Sequence, residues 1–338
     1  MKDLVLSIII PLYNNAAYIR KCIDSIDNQE LLPESYEILI VNDGSTDNSY
    51  DIVKVYAESR TDITLLSQPN QGPGIARNLG MSVAKGKYIL FIDADDYLSD
   101  NVLKNIIETA ENNDLDLLLY KYQEVHEDEG RSIPFDYDCE HLNKVMSGKD
   151  AISTLRFYHS VCSGIFSRHF IESHKLYFEN QVWGEDVWFM VRFLTKAERV
   201  MAVDKTCYNY VKYNVSSLTS RKNLNLDFLR KVALSRVDVS VKMKRLADSL
   251  VIENKSDRQC VEVMINGAYV FSYYSIYKLL QSQMPETTFE YQIKKLSDVG
   301  LYPVKKYEYK WKSKKDELIR FLINNRPILR FLNFLKLA

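Results

Sequence analysis

Residues Tyr36–Leu66 read YEILIVNDGSTDNSYDIVKVYAESRTDITLL, and their pattern decides the fold. Tyr36–Val41 is a short, mostly apolar run and reads as a buried strand. The NDGSTD that follows, Asn42–Asp47, is turn and helix-cap chemistry. Ser49–Ser59 has helical spacing, and Ile63–Leu66 is a strand again. Strand, helix and strand within about 30 residues is the building unit of a parallel sheet.

The alternation continues on both sides. Leu4–Ile10, Tyr88–Ile92 and Leu115–Tyr120 read as further strands. Ala16–Ile26, Ile75–Ala84 and Asn101–Asn112 read as helices. The expected class is α/β, a mostly parallel sheet with helices on both faces. Ligands of such sheets bind beyond the carboxyl ends of the strands. The turns PLYNN (Pro11–Asn15), NDGSTD and DADD (Asp93–Asp96) fall there and are expected to converge in one cleft.

The chain has 338 residues, room for one large or two medium domains. Its formal charge of −1 gives no general attraction to nucleic acid. Five widely spaced cysteines at 22, 139, 162, 207 and 260 include no CxxC pair, which suits reduced thiols in a cytoplasmic protein. The apolar start breaks at Pro11 and reads as a first strand, not a signal peptide. No segment has the ~20 apolar residues of a membrane span. Residues 121–150 read as an acidic surface excursion, and the chain from 223 onward reads as helical. Leu301–Ala338 holds ten Lys and Arg against three Asp and Glu. This tail suits an amphipathic helix on an anionic membrane surface, with Pro327 opening a second segment, or a helix docked on the protein's own core.

Four stretches carry chemistry. In DADD, Asp100 nearby accounts for helix capping, but Asp93, Asp95 and Asp96 together suggest Mg2+ or Mn2+ shared with substrate phosphates. Alternation along an extended chain would put Asp93 and Asp95 on one side. Asp43 could accept an N–H from a base ring whose wall lies near Tyr13, or merely cap a helix. NQGPGIARNLG (Asn70–Gly80) is neither a dinucleotide fingerprint nor a P-loop; it leaves Arg77 as an anion or nucleotide-edge contact, or as a solvated residue. In WGEDVWF, Glu185 and Asp186 lie between Trp183 and Trp188: a general base beside an aromatic sugar platform, or an exposed helix start. The five histidines show no metal-ligand spacing.

With these motifs in this order, the chain resembles the family 2 glycosyltransferases of GT-A fold, strongly over residues 4–120 and weakly over 150–220. The resemblance implies inverting transfer from a sugar nucleotide, a UDP-sugar, with Mn2+ or Mg2+ as cofactor. The acceptor would be a glycan or a lipid-linked hydroxyl in surface polysaccharide synthesis. It implies that Pro11, Leu12 and Tyr13 line the nucleoside, that Asp43 binds the base and that Arg77 lies at its edge. Asp93 would sit near the ribose and the metal, Asp95 on the metal, and Asp96 would assist. Glu185 and Asp186 would be the catalytic pair, with Asp186 the base. Ser216 and Thr219 would close over the diphosphate. Residues 1–220 would form the GT-A domain, with 1–120 the nucleotide half and 121–220 the acceptor half. Residues 221–338 would be a helical region with the basic tail. Two features depart from the family: Asn42 precedes Asp43 where a second acid is common, and Gly164 stands where many members carry Lys or Arg. The expected site of action is the cytoplasm, peripheral on the inner face of the cell membrane. A nucleotidyltransferase and a non-catalytic nucleotide-sugar-binding protein are the competing readings.

Overall fold

The computed structural model describes residues 4–134, 141–155, 160–212, 225–305 and 314–335. Ser216 and Thr219 lie outside them. The chain forms two compact units, one of Met1–Asn180 with Glu185–Ser220, the other of Gln181–Gly184 with Arg221–Ala338.

The first unit is built on one sheet. Strands β1 (Leu6–Leu12), β2 (Tyr36–Asn42), β3 (Ile63–Ser67) and β4 (Tyr88–Phe91) run parallel in the order β3-β2-β1-β4. Beyond β4 the sheet becomes mixed. There β8 (Gly164–Ser167) lies antiparallel between β4 and β6 (Leu117–His126). Next, β9 (Val200–Val211) runs parallel to β6, and β5 (Tyr97–Leu98) pairs antiparallel with β9. β7 (Arg131–Pro134) pairs with β6 alone. The sheet is flanked by α1 (Ile19–Asp27), α2 (Ser49–Ser59), α3 (Pro73–Val83), α4 (Leu103–Asn112), α5 (Gly148–Thr154), α6 (Arg168–Ser173) and α7 (Glu185–Leu194).

Two boundaries differ from the sequence reading. β1 runs through Pro11 rather than stopping before it. Ile9 accepts the Ile92 N–H on the β4 side, so Pro11, two residues on, faces the same side. β4 has ended by then, and the missing proline N–H leaves no ladder bond unmade. Residues 121–126 are not a surface excursion but the second half of β6. Lys121 is buried there and pairs with Asp204 at 2.5 Å.

Packing sets the end of β4 against the start of α7. Phe178 and Phe189 stack at 4.3 Å, and Phe91 meets Phe178 edge-on at 5.5 Å. Helix α3 lies close on β1, because a Cβ at Gly80 would sit 2.5 Å from Ile9 Cγ2.

The second unit is helical. α8 (Leu226–Ser249) and α9 (Lys255–Gln281) form a hairpin whose second helix opens on an Asn254–Asp257 capping box. α10 (Glu286–Asp298), α11 (Lys314–Asn324) and α12 (Arg326–Phe334) complete it. Gln181–Gly184 joins this unit through the Val182 N–H, which donates to Ser235 Oγ at 3.2 Å. The terminal helices dock on their own unit: Arg326 and Arg330 both bind Glu290, and Tyr302 donates to the Ile323 carbonyl. Leu329 and Asn333 are buried, whereas Phe321, Phe331 and Phe334 are exposed. Among the described residues no helix is long and apolar enough to cross a membrane.

Candidate active site

The turns after β1 and β2 are stitched together. The Asp43 N–H donates to the Leu12 carbonyl at 2.8 Å, and Asn14 Oδ1 accepts the Thr46 N–H at 2.7 Å. Pro11 and Leu12 are buried within β1, so of the three expected nucleoside contacts Tyr13 alone presents its ring, at 44% exposure. Asp43 is 2% exposed, and its carboxylate takes three donors: Gln68 Nε2 and the backbone N–H groups of Gln71 and Gly72, each at 2.8 Å. In this structure it anchors the Gly-rich loop to the end of β2. These three N–H groups take three of the roughly four acceptor sites of a carboxylate.

That loop opens α3, with Pro73 in its first turn. Arg77 follows on the helix and is buried rather than solvated. Its Nη2 meets Asp93 Oδ1 at 2.6 Å and its Nη1 meets Glu185 Oε1 at 3.3 Å. The Phe178 ring lies 5.5 Å from the guanidinium. Burial works against the Arg77 charge, but the surrounding acids, Asp93 first, more than offset it. One buried cation thus joins an acid of the DADD turn to an acid of the α7 start.

DADD itself is a turn, not extended chain. β4 ends at Phe91, and the Asp96 N–H donates to the Asp93 carbonyl at 3.0 Å. Strand alternation therefore does not govern these acids. Asp96 is 2% exposed and tethered: Tyr208 Oη donates to it at 2.6 Å and the Val211 N–H at 2.8 Å. Tyr208 Oη also accepts the Asp93 N–H at 3.2 Å. Asp96 is thus a fastener between the turn and β9 rather than an assistant at a metal. Burial and then the charges of Asp95 and Asp93 push its carboxyl well up.

The Asp95 carboxyl is pushed up to about 6, first by burial and then by the Asp93 charge. The carboxylate oxygens of these two neighbouring acids are hard ligands of the kind Mg2+ and Mn2+ take. Among the described residues no three His, Cys, Asp or Glu side chains gather into a metal cage. The remaining ligands would have to come from the diphosphate and water.

Gly184, at φ 77°, breaks the chain before α7, and Glu185 and Asp186 occupy its first turn, where acids suit the helix dipole. Glu185 is turned toward Arg77, and its carboxyl is pushed up to about 7, chiefly by burial and then by Asp186. Asp186 stands outside this ion pair and accepts the Val187 N–H at 2.7 Å. Burial raises its carboxyl too, opposed by that hydrogen bond. Trp188 is not a sugar platform: it is buried and donates Nε1 to Glu179 at 2.7 Å.

Gly164 lies in β8, and a Cβ there would come 2.5 Å from the Leu118 carbonyl oxygen. No side chain of any kind fits, which accounts for the missing Lys or Arg. Tyr208 and Phe178 were not singled out in the sequence. Nothing local marks them, since the site residues they meet, Asp96 for Tyr208 and Arg77 for Phe178, lie far away in the chain.

The family description Glycosyl transferase family 2 matches residues 7–174. An uncharacterized glycosyltransferase of Escherichia coli K12, YibD, is 35% identical over 234 residues, covering 67% of each chain. A poly(ribitol-phosphate) beta-glucosyltransferase of Bacillus spizizenii is 30% identical over 211 residues, 61% of this chain and 32% of that one. The chain therefore spans from a third to two thirds of these relatives' length. In fold it resembles Staphylococcus aureus TarS 1-349, crystallised with UDP-GlcNAc, at a TM-score of 0.63 and 22% identity over 88% of this chain and 89% of that one. At that identity the likeness is one of fold.

Proposed function

The chain belongs to glycosyl transferase family 2, and on that premise we propose that it is an inverting glycosyltransferase, using a UDP-sugar and Asp186 as general base. The observation that carries the reading is the Arg77 bridge. It brings the acid turn after β4 and the acid pair opening α7 into one cluster, though Asp93 and Glu185 lie far apart in the sequence. Asp95 with Asp93 would hold Mg2+ or Mn2+, which when bound would supply positive charge for the departing diphosphate.

The chain's own residues divide the remaining work. Tyr13, exposed at the end of β1, offers a ring to the base. Asp43 fixes the loop that opens α3 and so sets where Arg77 stands. Arg77 neutralises Glu185, leaving Asp186 as the carboxylate of the pair outside the ion pair. Asp186 takes the proton of the acceptor hydroxyl as that oxygen bonds to the anomeric carbon. The bond from that carbon to the diphosphate oxygen breaks, and the nucleoside diphosphate leaves with its electron pair. A single displacement inverts the centre. The nucleotidyltransferase reading gives way to family membership.

The acceptor is a hydroxyl of a glycan or lipid-linked chain in surface polysaccharide synthesis; two relatives are named for transfer to poly(ribitol-phosphate). Action at the cytoplasmic face of the cell membrane is supported by the tail. Phe331 and Phe334 are exposed on one face of α12 with Leu335 exposed just after it, and the last 38 residues carry an excess of basic residues. The test is transfer from a panel of sugar nucleotides with and without Mn2+, using wild type and Asp186→Asn. Transfer by wild type and its loss in the variant support the proposal; no turnover of any donor would sink it.

A further inference from the structure

In the helical unit, Arg236 and Lys278 are paired with no acid among the described residues. Arg236 on α8 lays its guanidinium over the Trp183 indole, with Cζ 3.8 Å from the ring centroid. The same indole meets Phe271 edge-on at 5.4 Å. Ser240 and Ser275 face each other across the hairpin at 3.5 Å, which puts Arg236, one turn before Ser240, level with Lys278, one turn after Ser275. Lys278 Nζ donates to Gln281 Oε1 at 2.8 Å.

The acids of α8 are engaged elsewhere: Asp227 pairs with Arg230, Asp238 with Lys295 and Asp248 with Lys244. Burial pulls both Arg236 and Lys278 down from their ordinary values, and the Arg236 charge lowers Lys278 further. Among the described residues no carboxylate acts on either, and Tyr274 works in favour of the Arg236 charge. Arg236 Nε and both polar atoms of the Gln181 amide are buried without a hydrogen-bond partner among the described residues. Tyr274 and Tyr277 lie exposed on the same stretch of α9.

Two half-buried like charges side by side are unfavourable, and an unpaired buried donor adds to the cost. An anion offsets both. A stacked guanidinium keeps edge N–H groups for bidentate phosphate binding, a lysine adds a point charge, and flat rings suit the apolar face of a sugar or polyol.

We propose that Arg236, Lys278 and Trp183 form an acceptor subsite that binds a phosphate group of the acceptor, with Tyr274 and Tyr277 beside it for the adjoining sugar or polyol. The proposal rests on the glycosyl-transfer reading and adds that the acceptor is anionic. Trp183 precedes Asp186, the proposed base, by three positions in the sequence.

The test is calorimetric titration of the full chain with a short oligo(glycerol phosphate), the matching uncharged oligoglycerol, inorganic phosphate and phosphatidylglycerol vesicles. Wild type binds the phosphate oligomer in a salt-sensitive way and ignores the uncharged one. Arg236→Gln with Lys278→Gln weakens that binding by about tenfold or more, while Arg236→Lys retains part of it. Affinity for UDP, measured on the same samples, reports that each variant is folded. Equal binding of the phosphate oligomer by wild type and the double variant overturns the subsite, as does equal binding of the uncharged oligomer. Vesicle binding that the double variant loses, with no binding of the oligomer, overturns its assignment to an acceptor. Oligomer binding that behaves as expected, in a protein that turns over no sugar nucleotide, keeps the subsite and rejects the transfer reading instead.

Discussion

Glu185 and Asp186 are adjacent acids placed in different surroundings. Glu185 faces Arg77 and is pushed up to about 7, chiefly by burial, whereas Asp186 stands outside that pair. The ordinary glutamate value is 4.5, so between 4.5 and about 7 the folded state binds more protons than the unfolded one. The stability this provides is complete below 4.5 and is lost as pH rises through about 7. Glu185→Gln removes the titration, so urea midpoints measured across that window should flatten with pH; an unchanged slope would show that Glu185 is not the group responsible. The acids and Arg77 were legible one by one in the sequence, because each is an unusual residue at a strand end or helix start. Their pairing was not. The acid turn promised a metal ion, yet Asp93 also meets a buried guanidinium from another element. A motif shows its charges but not which of them face each other.

Elements were more legible than their ends. The alternation of Tyr36–Leu66 specifies a parallel unit because strand and helix periods differ, and β2, α2 and β3 appear within one residue of the expected limits. The β6 extension and the DADD turn were not legible, since both depend on partners distant in sequence: β9 for the first, Tyr208 and Val211 for the second. Gly164 shows the same dependence. Its need for glycine comes from the Leu118 carbonyl on the neighbouring strand. Gly164→Ala must push that backbone aside, an overpacking that should cost about 1–3 kcal/mol by urea denaturation. A variant as stable as wild type would mean that the strand yields without cost.

At the scale of the molecule, the chain passes briefly into the helical unit at Gln181–Gly184 before returning at Glu185, a detour that four residues of sequence cannot announce. The tail was open between two readings, and its helices dock on their own unit while leaving Phe321, Phe331 and Phe334 exposed. If those rings seek lipid, Phe331→Ser with Phe334→Ser should abolish sedimentation with phosphatidylglycerol vesicles and leave the melting temperature near wild type. Unchanged sedimentation would remove the membrane from the account. The central claim is that Asp186 takes the acceptor proton, and a base of this kind contributes about 10²–10⁴ in rate. The most direct measurement is therefore kcat for transfer by Asp186→Asn at saturating donor, alongside its affinity for UDP. A fall in kcat of about that size with UDP affinity unchanged is expected; a kcat within a few-fold of wild type would rule Asp186 out as the base.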